Sequence, residues 1–159
     1  MFEPIQLTPI AVVRNSVGEP ADDIWGKLVS RIDLDSDRFT AASVAGLGEF
    51  SHVEVFFALH KVAESTIELA ARHPRGRAEW PSVGIFAQRG RNRPNRIGAT
   101  VCRLQSVEGV SLWVEGLDAI DGTPILDIKP YFREFGPRGA VLQPDWATQL
   151  MAGYWGNAE

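Results

Sequence analysis

The stretch that most constrains the fold is Gly84–Leu104, GIFAQRGRNRPNRIGATVCRL. Val83, Ile85 and Ala87 alternate ahead of its centre, and Ile97, Ala99 and Val101 alternate behind it. A period of two predicts strands with one buried face, here over Val83–Ala87 and Ile97–Val107. Between them lies Gln88–Arg96, with arginines at 89, 91, 93 and 96 and a single proline, Pro94. Four guanidinium groups so close together repel one another. The loop is either built around an anionic or polar ligand or is a solvated basic hairpin loop, and charge alone weighs the two equally.

The charge of the whole chain sharpens this. The net charge is −4, yet residues 72–103 hold eight arginines and one acid, Glu79. That segment is therefore +7 and the remainder −11. Such a chain is no general polyanion binder, but it can engage a polyanion through one face. Arginine outnumbers lysine thirteen to three. Its planar fork suits bidentate contacts to phosphate or carboxylate and stacking on bases.

A length of 159 residues fits a single domain, expected to span residues 1–159, with a substantial core. The 45% hydrophobic and 23% charged content is that of a soluble globular protein. No apolar run is long enough to cross a bilayer, and MFEPIQLTPI lacks the basic-then-apolar order of a signal peptide. Cys102 is the single cysteine, which excludes intramolecular disulfides and cysteine-based zinc sites. Together these lead to an expectation of a reducing cytoplasm. Inside a predicted strand, Cys102 reads as a small core residue rather than a nucleophile.

Taken in order, Leu7–Val13 is expected as the first strand and Leu28–Leu34 as the second. Phe39–Ala45 is expected as a short helical turn broken by Gly46-Leu47-Gly48. Ser51–His60 is a strong strand, with Val53, Val55, Phe57 and Leu59 on one face. His52, Glu54, Phe56, Ala58 and His60 form the other, either a ligand-lined surface or a half-exposed sheet face. His52 and His60 lie eight residues apart, roughly 26 Å along a strand, and cannot share a metal; none is expected. VAESTIELAAR (Val62–Arg72) can make about two helical turns, ended at His73-Pro74. Glu108-Gly109 supplies a tight turn between Ile97–Val107 and Val110–Leu117, hence a hairpin. Asp118-Ala-Ile-Asp121-Gly122 reads as a turn before a last strand, Ile125–Lys129. Its two carboxylates could equally hold amines or ribose hydroxyls. Asp145–Trp155 is expected as a C-terminal helix capped by Asp145, with Trp146, Leu150 and Tyr154 on one stripe.

About seven strands, one or two helices and no βαβ alternation predict a mainly antiparallel, closed sheet. No G-x-G-x-x-G, P-loop, G-x-S-x-G or H-E-x-x-H is present.

Three segments carry a family resemblance: GLGEFSHVEVFFALH (Gly46–His60), GIFAQRGRNRPNRIGATVCRL and GLDAIDGTPILDIKPY (Gly116–Tyr131). In this order, and with the opening IAVVRNS (Ile10–Ser16), they resemble the TsaA-like family, whose characterised members include tRNA methyltransferases of the TrmO type. The resemblance spans most of residues 5–132. It implies a single-sheeted antiparallel β-barrel with short peripheral helices, and a homodimer. It also implies S-adenosyl-L-methionine as cofactor and methylation of N6 of threonylcarbamoyladenosine beside the tRNA anticodon. By motif it places His60, Lys61, Arg89, Ala99, Asp118, Ala119, Ile120 and Asp121 at the cofactor. A base is sought among Asp118, Asp121 and His60, while Arg91, Arg93 and Arg96 would meet the RNA. Phe56 could cover the adenine. Two stretches depart from the pattern. Pro20–Gly26, PADDIWG, carries acids where the tRNA enzymes have proline-arginine-glutamine, and Arg96 replaces the second proline of Arg-Pro-Asn-Pro-Ile-Gly. Two further readings stand beside the tRNA enzyme. One is a module that binds the cofactor without transfer; the other is a methyltransferase acting on a small molecule.

Overall fold

The alternation in HVEVFFA becomes strand β3, His52–Ala58, whose Val53, Val55 and Phe57 are buried while the residues between them are half exposed. The computed structural model describes residues 2–156; Met1 and residues 157–159 of the expected single unit lie outside the described part. Its strands are β1 (Ala11–Arg14), β2 (Val29–Leu34), β3, β4 (Ala71–Arg72), β5 (Val83–Gly84), β6 (Ile97–Glu108), β7 (Ser111–Glu115) and β8 (Pro124–Pro130). Six of them close into a barrel in the order β1-β2-β7-β6-β3-β8, every pairing antiparallel. The expected antiparallel barrel is what forms. β4 and β5 make a separate two-stranded ribbon.

The barrel interior is one apolar cluster that includes Val13, Ile32, Val53, Val55, Phe57, Leu104, Leu112, Val114 and Ile125. Cys102 joins it at 1% exposure, as a small core residue. Towards one end the inward-facing positions turn polar: Ser30 and Thr100 are buried, next to Val114 and Val55 on their neighbouring strands. A buried hydroxyl needs a partner. Asn15 donates to Ser30 and Thr100 donates to Asp118, so both partners come from connections at that end.

Several boundaries differ from expectation. Val83–Ala87 does not run as one strand beside Ile97–Val107. Only Val83–Gly84 is extended, it pairs with β4, and Ile85–Ala87 is a 3-10 turn. The backbone here bonds sideways, Ile85 N–H to the Ala70 carbonyl. That same pairing keeps Val62–Arg72 from coiling into two helical turns; only a single 3-10 turn, Glu64–Thr66, appears. Residues 7–10 precede the first strand rather than forming part of it, because β2 ends at Leu34 and its pairing with β1 begins at Ala11. The C-terminal helix α1 is shorter, Asp145–Met151. Pro144 holds its N-cap position, so Asp145 lies in the first turn and makes no side-chain cap bond. Phe39–Ala45 does contain a 3-10 turn, Ala41–Val44.

Gly98 faces Phe57 across β3 and β6, and the phenyl ring fills the space where a side chain would go. A Cβ on Gly98 would overlap that ring. Phe57 is 2% exposed and cannot swing out. Gly98→Ala is therefore expected to destabilise the barrel by about 1–3 kcal/mol through overpacking. A urea unfolding curve reads this directly, and an unchanged midpoint would contradict the packing described.

Candidate functional site

Closure of the sheet sends three connections to one mouth of the barrel. They are residues 15–28 between β1 and β2, residues 59–96 between β3 and β6, and residues 116–123 between β7 and β8. The cofactor and RNA candidates all fall on these connections, apart from Ala99, which sits on β6 beside them.

The aspartate turn is fixed against the first connection. Asn15 N–H donates to Asp121 Oδ1 at 3.1 Å, and the Asp121 N–H donates to the Val17 carbonyl at 2.7 Å. The Asn15 amide donates to the Ala119 carbonyl at 2.8 Å, and its own oxygen accepts from Val17 N–H. Ala119 and Ile120 are buried, and their carbonyls accept from the Asn15 amide and from Thr123 N–H.

Asp118 is held by two hydroxyl groups. Thr100 Oγ1 donates to its Oδ1, and the Tyr154 hydroxyl donates to Oδ2 at 2.5 Å. Burial pushes its pKa up from the ordinary carboxylate value; the two hydroxyl bonds and the charge of Arg89 oppose that rise without cancelling it. Burial and the neighbouring Asp118 push the Tyr154 phenol far up, so it remains a donor.

The arginine loop is not a uniform basic surface. Gln88 is buried at its base, donating to the carbonyls of Arg72 and Val83. Arg89 Nη2 donates to the Ala99 carbonyl at 2.6 Å, which holds the guanidinium across β6 and within electrostatic reach of Asp118 and Tyr154. Arg93 Nη1 donates to the Gln88 carbonyl at 3.0 Å, and Arg96 Nη1 to the Val62 carbonyl at 3.1 Å. Arg96 adopts φ 50°, a left-handed backbone that costs a non-glycine residue on the order of 1 kcal/mol and is held by this staple. Arg91 is exposed, and its side chain makes no hydrogen bond or ion pair among the described residues.

His60 and Lys61 are exposed at the end of β3. Lys61 Nζ donates to the Gly18 carbonyl at 2.6 Å and to Glu19 Oε1 at 2.8 Å, tying this corner to the first connection. The acids of Pro20–Gly26 have a comparable use. Asp23 pairs bidentately with Arg75, at 2.7 and 3.0 Å. The hydrogen bond from Arg75 holds the Asp23 carboxyl below its usual value. His52 bonds Ser51 and His73 bonds the Trp80 carbonyl. Among the described residues, no group of three or more His, Cys, Asp or Glu side chains converges on a common point. No helix is long and apolar enough to cross a membrane.

Sequence reading missed Asn15, Thr100 and Tyr154. Asn15 lay inside the quoted IAVVRNS motif, where its type already offered a loop-bridging amide. Thr100 was one β-branched residue in a strand. Tyr154 was read only as part of a helical stripe, because its partner is 36 residues away.

The family model described as the tRNA-methyltransferase O N-terminal domain matches residues 14–136. The chain belongs to this family. The tRNA (adenine(37)-N6)-methyltransferase of Homo sapiens is 39% identical over 102 residues, covering 64% of this chain and 23% of that protein. A Methanothermobacter thermautotrophicus protein described as "Probable S-adenosyl-L-methionine-binding protein" is 34% identical over 140 residues, covering 85% of this chain and 96% of its own length. A crystal structure of TrmO from Pseudomonas aeruginosa superposes with a TM-score of 0.70 at 28% identity, covering 88% of this chain and 61% of that one. This family member thus spans under a quarter of the human relative and under two thirds of the TrmO structure.

The half-buried Asp118 carboxyl makes a pH prediction. A carboxyl whose pKa rises on folding stabilises the fold in its protonated form. That contribution is complete below the unfolded value and is lost as pH rises through the folded value. Relative to Asp118→Asn, wild type should therefore lose thermal stability as pH rises from below the ordinary carboxylate value through the raised one. Melting temperatures of both proteins across this range check it; a constant difference would contradict the burial assigned to Asp118.

Proposed function

We propose that this chain is an S-adenosyl-L-methionine-dependent methyltransferase acting on N6 of threonylcarbamoyladenosine in tRNA, beside the anticodon. The observation that carries this reading is the placement, at one barrel mouth of a TrmO-family domain, of an arginine held on the Ala99 carbonyl beside a carboxylate held by Thr100 and Tyr154. The cofactor supplies an activated methyl group on a sulfonium, together with a carboxylate, an ammonium group and ribose hydroxyls. The donor set fits it. Arg89 keeps guanidinium N–H groups beyond the one given to Ala99, and these suit a carboxylate. Asp118 and Asp121 suit an ammonium group or hydroxyls, with the backbone of Ala119 and Ile120 between them. His60, Lys61 and Ala99 complete the lining, and Phe56 offers an aromatic face to an adenine.

Alignment of donor and acceptor would supply most of the rate. A carbamoyl-substituted nitrogen is a weak nucleophile that must lose a proton, so a base contributes. Of Asp118, Asp121 and His60, Asp118 has the environment that raises a carboxyl toward the working range. Arg91, the one of the four loop arginines whose side chain has no partner among the described residues, would meet phosphate or stack on an exposed base; Arg93 and Arg96 have N–H groups left to join it. We further propose that residues 1–159 act as one unit, in the cytoplasm where tRNA is found, and as a homodimer.

The near full-length match to a protein described as binding S-adenosyl-L-methionine favours a second reading, a binding module without transfer. Incubation with methyl-labelled cofactor and tRNA carrying or lacking the threonylcarbamoyl group separates the two. Label should enter only the modified tRNA; cofactor binding without label in either tRNA would reject the tRNA enzyme in favour of the module or a small-molecule methyltransferase. Arg89→Ala should weaken cofactor binding roughly ten- to a hundredfold in a calorimetric titration, the cost of one charge-assisted contact. Arg91→Ala should leave it nearly intact and lower the salt slope of tRNA binding by about one. Equal cofactor affinity for wild type and Arg89→Ala would reduce the loop to a basic surface. Light scattering tests the dimer, and a 17.5 kDa particle at micromolar concentration would reject it.

A further inference from the structure

The chain that follows β8 does not leave the barrel. Residues 143–156, beyond the segment matched by the family model, return across the candidate mouth and touch all three of its connections. Gln149 Oε1 accepts from Trp80 Nε1 at 2.9 Å, on the 59–96 connection. Tyr154 donates to Asp118, on the 116–123 connection. The Trp155 carbonyl rests on Gly26, on the 15–28 connection, so closely that a Cβ there would overlap its oxygen. The ring of Tyr154 packs edge-on against Trp155, centroids 4.9 Å apart. A tail making one such contact could be incidental. Three contacts to three separate loops, one of them to the Asp118 carboxylate, make it a strap.

We propose that this strap is a built part of the candidate site, with Tyr154 as a positioning residue that fixes the Asp118 carboxylate for its ligand and Gly26 as the seat that holds the strap in place. The proposal rests on the reading of this mouth as the S-adenosyl-L-methionine site. Asp118 offers four lone-pair directions, and two hydroxyls occupy one on each oxygen. The carboxylate plane is thereby set, and the remaining acceptor directions are left for an ammonium group or a ribose. The charged and titratable groups facing it are Arg89 from the arginine loop, Tyr154 from the strap and Cys102 from β6. Burial keeps the Cys102 thiol protonated. Arg75 faces Tyr154 and is itself neutralised by Asp23.

The test uses Tyr154→Phe, which keeps the ring and removes one hydroxyl, and Gly26→Ala, which touches neither Asp118 nor Tyr154 and unseats the strap. Two readouts are taken on the full chain: carbon-13 titration of the Asp118 carboxyl without ligand, and calorimetric titration of S-adenosyl-L-methionine at several pH values. Loss of the Tyr154 bond, with the ring still covering Asp118, should move the Asp118 titration upward in Tyr154→Phe. Cofactor affinity should fall about tenfold, and the acid limb of binding should shift to higher pH in the same direction. Tighter binding in either variant would make the strap an obstruction and overturn the proposal. So would wild-type binding with both readouts unchanged in Tyr154→Phe. Should wild type bind no cofactor while the Asp118 titration still responds, the site reading fails and takes the strap's role with it. Should Gly26→Ala fail to fold, Tyr154→Phe decides alone.

Discussion

Closure of the sheet is the constraint on which everything else depends. β8 pairs with both β1 and β3, so no strand of the barrel keeps an open edge. A six-stranded antiparallel barrel has an interior wide enough only for side chains, and the apolar cluster fills it. Ligand chemistry is then excluded from the interior and pushed to the mouths. Antiparallel order delivers alternate connections to the same mouth, which is why residues far apart in sequence, such as Asn15, Arg89 and Asp118, lie on loops around one opening. The inward hydroxyls of Ser30 and Thr100 mark where apolar packing gives way to polar bonding. Their partners are mouth residues, so barrel and site are locked by the same bonds.

The distribution of charge follows from this arrangement. Eight arginines in one segment would repel one another if all were free. Instead Arg75 is paired with Asp23, Arg77 with Glu79, and Arg89, Arg93 and Arg96 donate to backbone carbonyls. The acids of Pro20–Gly26, which depart from the tRNA enzymes' pattern, include the partner that Arg75 uses. Exposed pairs of this kind contribute little stability, about 0–1 kcal/mol each, so their use here is in placing loops. The segment keeps a positive face while most of its guanidinium groups are oriented by a partner.

The strands with clean alternation and long-range partners were legible in the sequence. β3, β6 and β7 lie where period-two patterning places them, because each has one face in the core. Val83–Ala87 alternates as well, yet most of it is not strand. Phe86 is 81% exposed and Gln88 is buried, so the apolar pattern there does not report which way the chain faces. The Val62–Arg72 helix failed for a related reason. Its backbone groups are taken by Asn92 and Ile85 from the loop and turn beyond, and local propensity yields to those bonds. Asp118 and Arg89 were legible because they sit in long motifs. Tyr154 was not: its helical spacing with Trp146 and Leu150 pointed to a packed stripe, whereas α1 stops at Met151 and the chain turns to bring the phenol to Asp118.

S-adenosyl-L-methionine is proposed to bind at the mouth formed by residues 15–28, 59–96 and 116–123. Backbone amide shifts of labelled protein, followed during addition of the cofactor, test it most directly. The account predicts saturable changes on those three connections and on residues 143–156, with the opposite end of the barrel, residues 35–51 and 109–110, unmoved. Changes confined to that opposite end, or none at millimolar cofactor, would contradict it.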